Sequence, residues 1–159
     1  MSAADVIGLL TSRGWTIGVA ESLTGGAVTS ALVSVPGASA ALLGAVVAYA
    51  TPVKHSVLGV DQVLLTEHGP VHPEVALQMA DGVRRAVQVD GRPADVGIST
   101  TGIAGPDSPD GQPVGTVHIG VVTPFARNSR AYRFEGDRAA IRSQSVDAAL
   151  EAVAAVLRE

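Results

Sequence analysis

The sequence contains no cysteine, which excludes disulfide bonds, thiolate nucleophiles, zinc ribbons and iron–sulfur clusters. This absence suits a reducing compartment, so we expect a cytoplasmic protein. Aromatic residues make up 3% and charged residues 16% of the 159 residues, so the core must be built from Val, Ala, Leu and Ile. The four histidines show no metal-binding spacing, and we expect neither a metal nor another cofactor.

Basic residues are also scarce, since 11 Lys and Arg stand against 15 Asp and Glu, for a formal net charge of −4. This balance disfavours direct nucleic-acid binding by phosphate neutralisation, although it leaves room for one small basic pocket. No apolar run reaches the roughly 18 residues of a membrane-spanning helix, and no leader peptide is recognisable. We therefore expect a soluble protein with no membrane or nucleic-acid partner.

Hydrophobic residues make up 47% of the chain, and their periodicity alternates between strand and helix patterns. The length predicts one domain over residues 1–159. Ser2 and Asp5 form a capping-box pattern. Thr51–Pro52 and His72–Pro73 are each predicted to be a cap followed by the first helical residue, and Gly136–Asp137 marks the start of the last helix. A buried strand is predicted at 16–20, and further strands are predicted at 44–49, 95–101, 114–122 and 130–134. We predict an α/β fold, a three-layer α/β/α sandwich with a mixed, mostly parallel sheet.

The segment Glu21–Gly26 (ESLTGG) lies between a predicted strand and a predicted helix. Its hydroxyl groups, glycines and free amides make a natural anion site at a helix N-terminus. Ser22, Thr24, Gly25 and Gly26 are therefore candidate substrate-binding residues. The simpler alternative is that Ser22 or Thr24 only caps the helix.

Three further residues, Ser39, Tyr49 and Lys54, are candidates for chemistry. Lys54 follows a predicted helix start, where the helix dipole and partial burial both favour the neutral amine, which is a general base. Without cysteine, a serine activated by lysine is a reasonable nucleophile pair, so Ser39 is the predicted nucleophile. Tyr49 could orient the lysine. Alternatively, all three are ordinary surface and loop residues.

Two more segments offer ligand contacts. Thr101 and Gly102 stand where a predicted strand ends in a glycine-rich loop, the usual place for ligands in α/β sheets; an ordinary tight turn explains the glycines equally well. Arg138 and Arg142 are four residues apart, share a helix face and could grip a phosphate. The alternative for them is an exposed helical pair.

Eight motifs occur in order along the chain and together carry a family resemblance: Ala20–Gly26 (AESLTGG), Val35–Ser39 (VPGAS), Val46–Tyr49 (VVAY) with Lys54, Leu58–Val60 (LGV), Glu67–Gly69 (EHG), Thr101–Pro106 (TGIAGP), Pro113–Thr116 (PVGT) and Gly136–Arg138 (GDR). From about Val6 to Arg158 the chain closely resembles the CinA C-terminal-domain family, whose members include nicotinamide-nucleotide amidases.

The resemblance implies an α/β/α sandwich that hydrolyses the carboxamide of nicotinamide mononucleotide by a metal-free Ser–Lys mechanism, and it suggests a homo-oligomer. By their motif positions, Ser39, Lys54, Tyr49 and Thr101 are expected to be catalytic, and Ser22 and Arg138 to contact the substrate. The chain departs from the family pattern at Thr51–Pro52 and in the loop 107–111. One alternative is a module that binds pyridine nucleotides without hydrolysing them; another is a regulatory partner in competence or the DNA-damage response.

Overall fold

The computed structural model describes all 159 residues and contains one five-stranded sheet. Its strands are β1 (Ile17–Glu21), β2 (Leu42–Val47), β3 (Val96–Gly102), β4 (Thr116–Val122) and β5 (Arg127–Arg133). Their order across the sheet is β2-β1-β3-β4-β5. Strand β1 pairs in parallel with β2 and β3, and β4 is antiparallel to β3 and β5. All strands except β4 therefore point the same way, which confirms the predicted mixed sheet.

Six α-helices surround the sheet: α1 (Ala3–Arg13), α2 (Ala27–Val33), α3 (Thr51–Ser56), α4 (Gln62–His68), α5 (Pro73–Ala86) and α6 (Arg138–Arg158). The predicted capping box of α1 is confirmed, and the side chains of His72 and Asp137 cap α5 and α6. Thr51 is the first residue of α3, and its predicted capping role is wrong because Ala50 occupies the cap position. None of the helices has the length and apolarity of a membrane span.

The two faces of the sheet are covered by different helices. Helices α1, α2 and α6 enclose the larger core of 24 buried residues, and α5 covers the opposite face above a core of eight. Helix α5 lies very close to the sheet, because a Cβ at Gly97 would be 1.8 Å from the carbonyl oxygen of Ala80. Ser99 donates a 2.5 Å hydrogen bond to Ala76 O. Gly97 lies against Ala80 and Ser99 against Ala76, so α5 is antiparallel to β3. The start of α5 therefore lies at the carboxyl end of β3.

The carboxyl ends of β1, β2 and β3 meet at one edge of the sheet, because these strands are parallel. Ser22 follows β1 at this edge, Tyr49 follows β2, and Thr101 lies at the end of β3. Ligands of open α/β sheets bind at such an edge. The fold therefore gathers residues from three distant parts of the sequence in one place.

Candidate active site

A cleft of about 550 Å³ lies at this edge. The ends of the three parallel strands, the loop that follows β3 and the first residue of α6 form its walls. Of the residues predicted from the sequence, six line it: Ser22, Tyr49, Lys54, Thr101, Gly102 and Arg138. The other five, Ser39, Thr24, Gly25, Gly26 and Arg142, do not.

Lys54 is the most deeply buried charged group in the cleft, with 1% of its surface exposed. Its Nζ atom lies 2.7 Å from the carbonyl oxygen of Ala48 and 3.3 Å from that of Tyr49. The third partner is the hydroxyl oxygen of Ser22, at 3.0 Å. An ammonium group has three N–H donors, so the charged form of Lys54 donates to all three oxygens.

Burial lowers the pKa of Lys54 from 10.5 to about 8. When the amine is neutral, its two N–H bonds can point to the two carbonyls while its lone pair accepts the O–H of Ser22. The sequence predicts Lys54 in the first turn of a helix, where the helix dipole would also lower its pKa. Helix α3 has only six residues, with Lys54 in its last turn, so burial is the cause.

The predicted pairing of Ser39 with Lys54 is wrong. Ser39 is exposed on a short 3-10 turn (Ala38–Ala40) that precedes β2, whereas Lys54 follows the other end of that strand. Six residues at roughly 3.3 Å each make β2 about 20 Å long, so the two residues lie at opposite edges of the sheet. The serine that contacts Lys54 is Ser22, which the sequence predicts to be a substrate contact.

The turn that carries Ser22 is fixed to β3. The Ser22 amide donates to the carbonyl oxygen of Thr100 at 3.1 Å, and the hydroxyl groups of Thr24 and Thr100 are hydrogen-bonded at 2.8 Å. Ser22 is 7% exposed, and it borders the cleft. A serine on a strand-to-helix turn is the arrangement that presents a nucleophile at the top of a hydrolase sheet.

Thr24, Gly25 and Gly26 shape this turn, and the prediction that they line a substrate site is not met. Thr24 is buried against Thr100, while Gly25 and Gly26 adopt positive φ angles of 61° and 105° that favour glycine. Gly26 occupies the cap position of α2, so neither Ser22 nor Thr24 caps this helix.

The buried carboxylate of Glu21 satisfies the start of α2 instead. It accepts hydrogen bonds from the amides of Val28 and Thr29, each at 3.0 Å, and from the Thr29 hydroxyl at 2.6 Å. Sequence reasoning missed this role, although an acidic residue at the end of an apolar strand was a usable signal. Glu21, the last residue of β1, is therefore bound to the start of α2, and Ser22 lies in the turn between these two elements.

The two arginines of α6 have separate positions. One NH group of Arg138 donates to Gly105 O at 2.6 Å and the other to the Tyr49 hydroxyl at 3.1 Å. Arg142 instead bonds the carbonyl oxygens of Leu23 and Thr24, behind the Ser22 turn. The predicted joint grip on a phosphate is therefore wrong, because only Arg138 borders the cleft.

Thr101 and Gly102 form the floor of the cleft beside the start of α5. The Thr101 hydroxyl donates to Pro70 O at 2.7 Å, which leaves its oxygen lone pairs available. A Cβ at Gly102 would lie 2.7 Å from a Val117 methyl group, so the close packing of β3 and β4 requires glycine there. Asp107 and Asp110, from the loop 107–111 that departs from the family pattern, also border the cleft. No group of three or more His, Asp or Glu side chains is arranged to hold a metal ion.

The fold and the site define an α/β/α protein with a buried serine–lysine pair in a cleft at the carboxyl edge of its sheet. The chain belongs to the CinA C-terminal domain family, whose model matches residues 1–157. A CinA-like protein of Frankia casuarinae is 47% identical over 152 residues, and one of Salinibacter ruber is 46% identical over 144 residues. These alignments cover 96% and 89% of this chain but only 34% of each relative, so the chain spans about a third of their length.

Solved structures agree with this assignment. A CinA superfamily protein of Klebsiella pneumoniae superposes with a TM-score of 0.91 at 30% identity, covering 98% of this chain and 95% of that one. The competence/damage inducible protein of Agrobacterium tumefaciens gives a TM-score of 0.86 at 32% identity, covering 98% and 96%. The five-stranded mixed sheet with helices on both faces is thus the fold of this superfamily.

Proposed function

We propose that the protein hydrolyses the carboxamide of nicotinamide mononucleotide to nicotinic acid mononucleotide and ammonia, with Ser22 as nucleophile and Lys54 as general base. The observation that carries the proposal is the 3.0 Å separation of Lys54 Nζ and Ser22 Oγ in a cleft that buries the amine. The choice of substrate rests on the family resemblance of the motifs that line the cleft.

In the first half-reaction, neutral Lys54 removes the Ser22 hydroxyl proton while Ser22 Oγ bonds to the amide carbon. The carbon–nitrogen bond then breaks, and the Lys54 ammonium gives that proton to the departing nitrogen, which leaves as ammonia. The two carbonyls that bind Nζ keep the amine in place through both transfers. A fixed base close to the nucleophile is what proton transfer requires.

In the second half-reaction, a water molecule attacks the acyl–Ser22 ester. Lys54 accepts a proton from this water and returns it to Ser22 Oγ as the ester bond breaks. The acid product and the free enzyme result, so no proton or electron is left over. The same lysine therefore acts twice, first for serine and then for water.

Arg138 is the candidate phosphate ligand. A guanidinium has five N–H donors, and two of those of Arg138 are used by Gly105 and the Tyr49 hydroxyl. The remaining donors are available to an anion, to which arginine binds with good geometry. Tyr49 holds Arg138 from the other wall of the cleft, so the phosphate would bind at the mouth while the carboxamide reaches Ser22.

The proposal is tested by incubating the protein with nicotinamide mononucleotide and a chelator, then measuring ammonia and nicotinic acid mononucleotide together. Equal amounts of the two products are expected. Binding of the nucleotide without either product would overturn the proposal and favour a module that binds without hydrolysis.

A further inference from the structure

Arg142 lies one turn after Arg138 on α6, but its side chain serves the loop that follows Ser22. Its Nε atom donates to Leu23 O at 2.8 Å and its terminal nitrogen to Thr24 O at 3.1 Å. No carboxylate forms an ion pair with this guanidinium. A part-buried cation therefore donates hydrogen bonds to the carbonyls of the two residues that follow the proposed nucleophile.

These two contacts fix the orientation of two peptide groups. In a trans peptide the C=O and N–H bonds point in opposite directions, so holding the Leu23 carbonyl also sets the direction of the Thr24 N–H. Holding the Thr24 carbonyl likewise sets the Gly25 N–H, which donates to Ser22 O at 3.1 Å. Because Ser22 O and the Leu23 N–H belong to one peptide group, this bond sets the direction of the Leu23 N–H. Neither the Leu23 amide nor the Thr24 amide donates to any group of the protein, although both residues are buried.

Buried amides without a partner are rare, because each forfeits a hydrogen bond that it had in water. Here the two amides without a protein partner follow the serine that contacts Lys54, and one of them belongs to Leu23, which borders the cleft. In acyl transfer, the amide after the nucleophile is a usual donor to the oxyanion that forms as the carbonyl is attacked. Arg142 polarises the Thr24–Gly25 peptide through Thr24 O, and the Gly25 N–H in turn polarises the Ser22–Leu23 peptide, which strengthens the Leu23 N–H as a donor.

We propose that Arg142 is a positioning residue that, through the Gly25–Ser22 hydrogen bond, holds the Leu23 amide as a donor to the developing oxyanion; Leu23 borders the cleft, whereas Thr24 does not. This inference rests on the proposed function, since it assumes acyl transfer at Ser22. Arg142 itself does not border the cleft, so it acts through the turn. The guanidinium packs against the turn, since a Cβ at Gly25 would lie 3.5 Å from it, at ordinary contact distance.

The first test compares Arg142→Ala and Arg142→Lys with the wild type in hydrolysis of nicotinamide mononucleotide. Loss of oriented oxyanion donors typically lowers kcat by about 100-fold or more, with little change in KM. We expect this for Arg142→Ala, partial recovery in Arg142→Lys, and recovery of Arg142→Ala when guanidinium chloride is added at concentrations that do not unfold it.

The matched control is Arg84→Ala. Arg84 also donates from Nε to a backbone carbonyl, that of Ala94, at 2.9 Å, but it lies on α5 and does not border the cleft. Both variants lose contacts to backbone carbonyls. If Arg142 has only a structural role, both variants should have lower melting temperatures, and Arg142→Ala should show no selective loss of kcat. Equal kcat values for Arg142→Ala and Arg84→Ala would overturn the proposal.

A fluorophosphonate probe separates this proposal from the choice of substrate. Ser22 Oγ attacks the phosphorus, fluoride leaves, and Lys54 takes the serine proton, so labelling needs the oxyanion donors but not nicotinamide mononucleotide. Slower labelling of Arg142→Ala than of Arg84→Ala supports the role of Arg142 even if the wild type releases no ammonia. Equal labelling rates, or no labelling of wild-type Ser22, would contradict it.

Discussion

The Nζ atom of Lys54 lies 3.0 Å from the Oγ atom of Ser22, although 32 positions separate the two residues in the sequence. The contact exists because parallel strands β1 and β2 end at the same edge of the sheet. Ser22 follows one strand and α3 brings Lys54 back from the other. The catalytic hypothesis therefore depends on the topology of the sheet.

The rate of hydrolysis should rise with pH around the pKa of Lys54. Burial lowers this pKa to about 8, and only the neutral amine can accept the Ser22 proton. We expect kcat/KM to increase about tenfold per pH unit well below 8 and to level off above it. A rate that is independent of pH between 6 and 9 would show that Lys54 is not the base.

Replacing Lys54 with Met should abolish activity and stabilise the fold near neutral pH. The folded-state pKa of about 8 lies below the unfolded value of 10.5, so the wild type gains stability as pH rises from 8 to 10.5. Below pH 8 the full cost of burying the charged amine is present, roughly 3 kcal/mol for a pKa that falls from 10.5 to about 8. Loss of the contacts to Ala48 and Tyr49 offsets about 1 kcal/mol of the gain.

Urea unfolding at pH 7 and at pH 10.5 tests this prediction. The stability advantage of Lys54→Met should shrink at the higher pH, because the wild-type amine is then neutral in the folded state. An advantage that grows with pH would contradict the assigned cause.

Replacing Arg138 with Ala should weaken binding of the phosphate and leave chemistry at Ser22 nearly intact. A charged hydrogen bond is typically worth about 1.5–3 kcal/mol, which predicts a KM roughly 10- to 100-fold higher for nicotinamide mononucleotide. Nicotinamide riboside, which lacks the phosphate, is the control substrate and should show little change. An equal effect on both substrates would place the phosphate elsewhere.

Replacing Glu21 with Ala should destabilise the protein strongly, because three donors at the start of α2 lose their acceptor. Unsatisfied buried donors cost about 1–3 kcal/mol each, so we expect a loss of at least 3 kcal/mol in the free energy of unfolding. Glu21→Gln keeps one oxygen acceptor and should recover part of this loss. Thermal unfolding of the two variants makes the comparison, and equal stabilities would contradict it.

His118 should make the fold sensitive to acid. Its ring lies on β4 with 8% of the residue exposed, and its Nδ1 has no hydrogen-bond partner. Burial, together with the nearby charge of His72, lowers the pKa of His118 below 6.5. The contribution of His118 to the free energy of unfolding is therefore fully present above pH 6.5, and it is lost as the pH falls below that value.

His118→Phe should remove part of this dependence, which melting temperatures between pH 5 and 7.5 can measure. His55→Gln serves as the control, because His55 Nδ1 lies 2.8 Å from Val60 O and so has a partner. If both variants keep the wild-type slope with pH, His118 is not the responsible group.

Local patterns predicted much of this structure. The capping box of Ser2 and Asp5, the His72 cap and the buried run of β3 depend on neighbouring residues, so they can be identified from the sequence. Helix α4 was missed, because its seven residues show little apolar periodicity. The sequence predicts the cap of α3 one residue too late. Thr51–Pro52 matches a capping pattern, but in the structure Ala50 is the cap and Thr51 is the first helical residue.

The partner of Lys54 could not be predicted in the same way. Ser22 and Ser39 both follow signals for turns, and spacing along the chain does not tell which one meets the lysine. Which serine meets Lys54 depends on the strand order. Ser39 precedes β2, whereas Ser22 follows the parallel neighbour β1 and so lies at the end of β2 after which Lys54 comes. The prediction that Arg138 and Arg142 bind one phosphate fails for a similar reason. Helical spacing predicts that the two residues share a face, but it does not predict what each side chain contacts.

The most direct measurement is ammonia release from nicotinamide mononucleotide by the wild type, Ser22→Ala and Ser39→Ala. The two variants make the same chemical change, one in the cleft and one on an exposed turn. We predict that Ser22→Ala loses activity by at least about a thousandfold while Ser39→Ala matches the wild type. Wild-type activity in Ser22→Ala would contradict the assignment of Ser22 and Lys54 as the catalytic pair.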